Sequence, residues 1–253
     1  MPNKRILVLG GTSDANVLAR ELLKSGYEVV TSFAGVTENP VLPEGEIRVG
    51  GFGGEDGLLD YLKAEAFTAM ADATHPFAAQ ISRHGFNAAE RAGIPYLRLE
   101  RAAWTPLPAD NWISVPNTEA AVAALPHAAR VLLTIGRKEL SAFLARDDLS
   151  GVARMIEKPP FELPPNWALV LARPPFSVEA ERELLAYHKI THLVTKNAGG
   201  KLTVAKLMAA RAERIPVVMI ERPKKPQTPA FGSASALVAA LASQGPQPKA
   251  QSA

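Results

Sequence analysis

Residues 5–15 read RILVLGGTSDA, and the predicted class of fold rests first on these residues. The short apolar run at 5–9 is typical of a buried parallel strand. It leads directly into Gly10 and Gly11, and the following residues, 14–25, carry apolar side chains at helical spacing. A strand, a glycine turn and a helix in this order form the first half of a βαβ unit. The sequence therefore predicts an α/β protein.

The same alternation of short apolar runs and helical stretches continues along the chain. In the first half we predict strands at 5–9, 28–31, 47–49, 69–73 and 95–99, with helices at 14–25, 55–66 and 79–92. In the second half we predict strands at 112–115, 131–134, 153–156, 168–172, 191–195 and 217–220, with helices at 118–125, 138–144, 178–187, 201–214 and 233–241. This alternation predicts doubly wound parallel sheets.

A proline-containing stretch at 104–111 interrupts the alternation, and we interpret it as a linker. The predicted fold is α/β with two Rossmann-like lobes, each a parallel sheet with flanking helices, and with a ligand cleft between them. The predicted domains are a dinucleotide-binding lobe at 1–103, the linker at 104–111, a C-terminal α/β lobe at 112–243 and a flexible tail at 244–253.

Composition narrows the class of protein. Apolar residues make up 47% of the 253 residues and charged residues 21%, as in globular enzymes. The chain has no cysteine, which excludes disulfides, thiolate catalysis, iron–sulfur clusters and cysteine-ligated zinc. The formal net charge of +3 is too small to indicate a nucleic-acid partner but leaves room for an anionic ligand. No apolar run suits a signal peptide or a membrane span, so we expect a cytoplasmic protein without a membrane partner.

The glycine turn after the first predicted strand is a candidate phosphate site. Its glycines permit close backbone approach, and the start of the next helix offers unpaired N–H groups to a phosphate. The spacing departs from G-x-G-x-x-G, because Thr12 and Ala15 replace its second and third glycines. The candidate cofactor-binding residues here are Gly10, Gly11, Thr12 and Ser13. The alternative is a plain strand-to-helix turn capped by Ser13 or Asp14.

The end of the second predicted strand bears on the choice of cofactor. Enzymes that use NAD usually carry an acidic residue there to hold the ribose 2′-hydroxyl. This chain instead has Thr31 and Ser32, which would tolerate a 2′-phosphate, so we predict NADPH rather than NADH. We assign Ser32 and Gly35 to the cofactor site. The alternative is a strand end with incidental hydroxyls.

Two more loops follow predicted strands at the edge where open α/β sheets bind ligands. Residues 50–54 read GGFGG, which suggests either a backbone that approaches a ligand closely or a flexible start to the next helix. Thr74, His75 and Pro76 follow the fourth predicted strand, and we assign them to the cofactor site. The proline disfavours helical dihedral angles at His75, which helps to expose its imidazole for cofactor orientation or proton transfer. The alternative is a loop histidine bound to backbone.

Cations follow three predicted strands of the second half, and we predict that they form a positive wall for carboxylates or phosphates. The candidate substrate-binding residues are Arg137, Lys138, Arg173, Lys196, Asn197, Gly199, Gly200 and Lys201. Solvated surface cations are the alternative. The sequence lacks H-E-x-x-H, G-x-S-x-G and P-loop motifs and the Tyr-x-x-x-Lys pair of short-chain dehydrogenases. We therefore set aside those hydrolase and reductase classes.

Seven blocks of sequence, in chain order, resemble one known family. They are GGT at 10–12, GGFGG at 50–54, DATHPFA at 72–78, GIPYLRLER at 93–101, TIGR at 134–137, KNAGG at 196–200 and VVMIERP at 217–223. Together they look like the precorrin-6A reductase family, and the DATHPFA block is the most distinctive of them.

This resemblance implies an NADPH-dependent reduction of one carbon–carbon double bond of precorrin-6A, giving precorrin-6B in cobalamin biosynthesis. It also implies that the two lobes hold the cofactor and the tetrapyrrole in the cleft between them. The implied partner is a small-molecule tetrapyrrole, and the resemblance also allows transient contacts with neighbouring pathway enzymes. It implies no resident metal. The nicotinamide supplies the hydride, and the proton comes from water or from a positioned side chain. His75 and Lys201 are our candidate catalytic residues.

Three points stay open at this stage. The chain has Val36 where many family members have an arginine after the Ala-Gly that follows strand two, so the residue that contacts the 2′-phosphate is undetermined. The family serves two branches of the pathway, so cobalt-precorrin-6A is an alternative substrate. A two-lobed protein that senses a dinucleotide without turnover is the alternative from a different class, and NADPH consumption in the presence of precorrin-6A separates it from a reductase.

Overall fold

The computed structural model describes residues 4–33 and 42–243, which form parallel strands alternating with helices. The first half contains β1 (Arg5–Leu9), α1 (Ser13–Lys24), β2 (Glu28–Phe33), β3 (Glu46–Val49), α2 (Gly54–Ala64), β4 (Ala69–Asp72), α3 (Ala79–Ala92) and β5 (Tyr96–Leu99). The second half contains β6 (Trp112–Val115), α4 (Thr118–Ala123), β7 (Arg130–Thr134), α5 (Arg137–Leu144), β8 (Ser150–Met155), β9 (Trp167–Leu171), α6 (Val178–Tyr187), β10 (His192–Lys196), α7 (Ala205–Ala212), β11 (Val217–Ile220), β12 (Ala230–Phe231) and α8 (Ala234–Ser243). The described residues include no helix long and apolar enough to cross a membrane.

The chain divides into two compact units, but not at the predicted boundaries. The first lobe consists of the described residues up to Arg101 together with those from Lys224 onward, and the second lobe runs from Ala102 to Pro223. The prediction that 112–243 forms one lobe is therefore wrong, because β12 and α8 belong to the first lobe. The predicted tail at 244–253 lies outside the described residues.

The first lobe has a six-stranded sheet with the order β3-β2-β1-β4-β5-β12. All its neighbouring strands pair in parallel. This is the 3-2-1-4-5-6 order of dinucleotide-binding folds, with the sixth position filled by the returning C-terminal segment. β12 has only two residues, so no period-two pattern marked it in the sequence.

The second lobe has the same strand plan, and its sixth position is also filled by a strand out of chain order. Its parallel sheet has the order β9-β8-β7-β10-β11-β6. Here β6, which precedes the other five strands in the chain, pairs with β11 at the edge. The prediction of two Rossmann-like lobes, each with a parallel sheet, is confirmed.

Burial on both faces explains the continuous apolar run in β1. Ile6 and Val8 lie in the core on the side of α1 and α8, whereas Leu7 and Leu9 lie in the core on the side of α2 and α3. Successive strand residues point to opposite faces, so a strand covered on both sides needs apolar residues at every position. The strand order reverses between β1 and β4 in the first lobe and between β7 and β10 in the second. In such sheets, ligands bind outside the carboxyl ends of the strands at this switch point.

Candidate functional site

The glycine turn lies at the switch point of the first lobe. The Gly10 N–H donates to Ser32 O at 2.9 Å, and a Cβ added at Gly10 would come within 2.7 Å of the Thr31 methyl group. Gly10 is therefore needed for close packing against β2. Gly11 is exposed and has φ +96°, and an added Cβ would meet no atom of the described residues within 4 Å. This open, left-handed turn leaves space for a ligand against the backbone.

The Thr12 hydroxyl ties this turn to the neighbouring strand. It caps α1 by accepting from the Ala15 N–H at 3.1 Å, and it donates to Ala73 O, just after β4, at 2.7 Å. Because both hydrogen-bonding roles of the hydroxyl are used inside the protein, Thr12 and the exposed Ser13 would meet a phosphate through backbone N–H groups at the helix start.

Arg48, which was not predicted as a site residue, holds the GGFGG loop. Arg48, on β3, donates to Gly50 O at 2.7 Å and to Gly51 O at 2.9 Å. Its guanidinium also stacks over the Phe52 ring, 3.9 Å from the centroid. These contacts fix the loop at the carboxyl end of β3. An arginine followed by glycines and an aromatic residue was the available sequence signal.

His75 lies in the loop after β4. The Phe77 N–H donates to His75 Nδ1 at 3.3 Å, so the neutral ring carries its proton on Nε2. The two aromatic rings contact each other, with centroids 5.8 Å apart. The ring is partly exposed while the following Pro76 is buried. The neutral ring therefore carries its donor at Nε2, next to the buried Pro76.

A buried polar cluster underlies this loop. Asp72 is 1% exposed and accepts from the Thr74 hydroxyl at 2.6 Å, the Thr74 N–H at 3.0 Å and the Tyr96 hydroxyl at 2.8 Å. The Lys225 ammonium lies 3.8 Å from Asp72 Oδ2. Lys225 follows β11 in the chain but belongs to the first lobe. No local sequence pattern connected it with a loop 150 residues earlier.

The cluster keeps Asp72 charged and Tyr96 protonated. Burial alone would raise the pKa of Asp72, but the Lys225 ammonium and hydrogen bonds from Ser82 and Thr74 hold that pKa below its ordinary value. Burial, and then the Asp72 carboxylate, raise the pKa of Tyr96 far above its ordinary value. Neither group is poised to exchange a proton near neutral pH.

Two of the predicted cationic loops of the second lobe meet at one carboxylate. Glu157, after β8, lies 3.6 Å from Arg137 and 3.7 Å from Arg173, which follow β7 and β9. The side chains of Arg137 and Arg173 remain 33% and 42% exposed, so both can also face a ligand. The cations were predictable from their place after strands, whereas Glu157 between them carried no such signal.

The third loop carries its own ion pair. Lys196 Nζ lies 2.6 Å from Glu139 Oε1, in the first turn of α5. Lys138 and Lys201 are exposed, and α7 begins at Ala205 rather than at the predicted Lys201, which lies in the preceding turn. The five predicted cations thus outnumber Glu139 and Glu157, the two acidic partners in these ion pairs.

Three predicted substrate-binding residues, Asn197, Gly199 and Gly200, contact Ala102 and Trp104. The Asn197 side chain accepts from the Trp104 N–H at 2.8 Å and donates to Trp104 O at 3.1 Å. The Trp104 indole donates to Gly200 O at 3.0 Å, and a Cβ at Gly199 would come within 2.1 Å of Ala102 O. The start of the predicted 104–111 linker is therefore packed onto the second lobe. These residues have a structural role that the sequence did not reveal.

Ser32 and Gly35 are the two residues near the end of strand two that were assigned to the cofactor site. Ser32 is 5% exposed, so little of it is open to a ligand, and its carbonyl accepts from Gly10. Gly35 and Val36 lie outside the described residues. The residue that would contact a 2′-phosphate is therefore not placed by the described geometry.

The sheet order and the open turn define the chain as a two-lobed α/β protein with Rossmann-like lobes. The family model described as precorrin-6x reductase CbiJ/CobK matches residues 5–242, and the chain belongs to this family of reductases.

Individual relatives agree with this membership. The precorrin-6A reductase of Rhodobacter capsulatus is 44% identical over 247 residues, covering 97% of this chain and 98% of that relative. The cobalt-precorrin-6A reductase of Priestia megaterium is 33% identical over 255 residues, covering 94% of this chain and 98% of that relative. A solved structure of CobK precorrin-6A reductase is 44% identical with a TM-score of 0.90, covering 97% of this chain and 99% of the other.

Proposed function

We propose that this protein is an NADPH-dependent precorrin-6A reductase of cobalamin biosynthesis that saturates one carbon–carbon double bond to give precorrin-6B. The observation that carries the proposal is the open Gly11 turn at the switch point of a sheet in dinucleotide-binding order. Family membership and the higher identity to a precorrin-6A reductase than to a cobalt-precorrin-6A reductase support the choice of substrate. The cytoplasmic location predicted from the sequence is part of this proposal.

The first lobe has the features that a dinucleotide needs. The pyrophosphate would lie against Gly10, Gly11 and the N–H groups at the start of α1, where the helix dipole favours negative charge. Thr74 and His75, on the adjacent loop, would face the remainder of the cofactor. When bound, NADPH supplies the hydride, and the protein supplies alignment and a proton path.

His75 is our candidate for moving or orienting that proton. Its Nδ1 accepts from the Phe77 N–H, so the neutral ring can donate from Nε2. The proposed contribution of Lys201 is different, because its exposed ammonium lies in the cationic edge of the second lobe. We assign that edge to the acetate and propionate groups of the substrate, which suit charge-assisted hydrogen bonds.

The first test is cofactor consumption. We expect NADPH absorbance to fall when precorrin-6A is added, with kcat/KM for NADPH at least ~10-fold above that for NADH, as one charge-assisted hydrogen bond to the 2′-phosphate would give. Ser32→Asp should weaken NADPH binding more than its neutral isostere Ser32→Asn, which controls for packing at this buried position. Equal efficiency with the two cofactors would contradict the prediction. Tight NADPH binding without turnover would favour the sensor, and parallel assays with cobalt-precorrin-6A test the other branch.

His75→Ala is expected to lower kcat by about 10²-fold or more, the usual range for loss of a general acid or base. Its melting temperature should change little, because the ring is partly exposed. His127→Ala, at an exposed histidine of the second lobe, is the control and should retain parental turnover. A folded His75→Ala protein with parental kcat would remove His75 from the mechanism.

Arg137→Ala and Lys201→Ala are expected to raise the substrate KM by roughly 10- to 100-fold, since a charge-assisted hydrogen bond contributes about 1.5–3 kcal/mol. The exposed Lys201 should lie at the lower end because solvent screens it. NADPH affinity should stay nearly intact, and the parental KM should rise with salt. Lys189→Ala, an exposed cation before β10 at the opposite edge, is the control. Loss of NADPH affinity with the substrate KM preserved would reverse the assignment of the two lobes.

A further inference from the structure

Lys225 is a buried cation in contact with the loop that carries His75. Its side chain is 7% exposed. Its ammonium lies 3.4 Å from His75 O, 3.4 Å from the Thr74 hydroxyl oxygen and 3.8 Å from Asp72 Oδ2. A lysine ammonium has three N–H donors, and this one lies among three oxygen acceptors.

This burial ties the lysine and the loop to each other. An ammonium removed from water is costly unless it is paired and hydrogen-bonded. Asp72, at the end of β4, supplies the charge, while two of the three acceptors belong to the loop that follows. Displacing the loop would therefore remove acceptors from a buried cation. The loop is held from its backbone side, and the Phe77 N–H holds the His75 ring separately.

The segment that carries Lys225 is itself anchored. Four residues later, Pro229 O accepts from the Arg98 N–H at 2.9 Å, and β12 then pairs with β5. The backbone around Lys225 is thus fixed to the sheet that also contains β4. The lysine can act as a fixed reference for the His75 loop.

We propose that Lys225 is a positioning residue that sets the place of His75 through the carbonyl of His75 and the hydroxyl of Thr74. This inference rests on the proposed function, in which His75 acts on the reaction. The competing explanation is that Lys225 only balances the charge of Asp72. The two explanations differ in what happens when both charges are removed together.

The experiment compares Lys225→Met, Asp72→Asn and the double variant Asp72→Asn/Lys225→Met. Asp72→Asn is the reference, because it removes the carboxylate and leaves the contacts of Lys225 to the loop. We expect the double variant to melt closer to the parent than Lys225→Met does, since it leaves no buried unpaired charge. Its kcat should nevertheless remain at least tenfold below that of Asp72→Asn. Lys224→Met, at the adjacent exposed lysine, is the matched control and should keep parental kcat and melting temperature.

A second measurement reports the loop without any turnover. The chain has five histidines, so nuclear magnetic resonance of histidine-labelled protein can follow the His75 ring, assigned by its loss in His75→Asn. The His75 signals should shift between Asp72→Asn and the double variant, and those of the other four should not. An unmoved His75 ring, or equal kcat in Asp72→Asn and the double variant, would overturn the positioning role. Shifted His75 signals in a protein that never oxidises NADPH would overturn the proposed function and leave the positioning role standing.

Discussion

Gly11→Val is expected to raise the NADPH dissociation constant at least ~100-fold while the protein stays folded. A branched side chain at Gly11 would fill the space that we assign to the pyrophosphate, which an added Cβ finds open among the described residues. A hundredfold loss corresponds to about 2.7 kcal/mol of binding free energy. Fluorescence titration with NADPH measures the constant, and circular dichroism reports the fold.

Gly26→Val separates this effect from backbone strain. Gly26 has φ +81°, compared with +96° at Gly11, and a Cβ there also meets no described atom within 4 Å. It lies between α1 and β2, at the edge of the sheet opposite Gly11. Both variants should lose a similar 1–3 kcal/mol of stability to the left-handed backbone, but only Gly11→Val should lose NADPH. An unchanged dissociation constant in Gly11→Val would mean that the phosphates bind elsewhere.

The strands could be predicted from sequence wherever burial on both faces imposes a continuous apolar run. β1, β6 and β11 begin and end at the predicted residues. The other strands, β12 apart, differ from their predicted bounds by at most three residues at either end. β12 gave no such signal, because two residues cannot show a period. Its place depends on α8, whose Leu237 and Leu241 pack into the core of the first lobe. The predicted second lobe at 112–243 was wrong because α8, at the end of that range, packs on the first lobe.

Only those site residues that directly follow a strand in the sequence could be predicted. The turn at Gly10 and Gly11 and the loop at His75 each adjoin a recognisable strand, so their position at the sheet edge followed from topology. Lys225 could not be predicted, because its contact with His75 spans 150 residues and depends on the returning segment. The pairing of Lys196 with Glu139 likewise needs the spatial neighbourhood of two elements far apart in the chain.

Arg154→Met is expected to lower the free energy of unfolding of the second lobe by about 3–5 kcal/mol, the usual cost of removing one partner of a buried ion pair. Arg154 Nη1, on β8, lies 2.7 Å from Glu181 Oε1 on α6, and the two side chains are 6% and 1% exposed. The other carboxylate oxygen of Glu181 has no hydrogen-bond partner among the described residues. Without the arginine, Glu181 would be a buried carboxylate that has lost this ion pair.

The double variant Arg154→Met/Glu181→Leu should recover most of this loss, because it buries no charge. The three tryptophans of the chain, Trp104, Trp112 and Trp167, all belong to the second lobe, so their fluorescence during urea unfolding reports that lobe selectively. The guanidinium of Arg154 also lies 4.1 Å from the ring centroid of Phe176, in the loop that carries Arg173. We therefore expect the double variant to keep a raised substrate KM after its stability returns. A single variant as stable as the parent would show that loss of Arg154 does not strand the buried Glu181 carboxylate. A double variant with parental KM would show that Arg154 does not position the Arg173 loop.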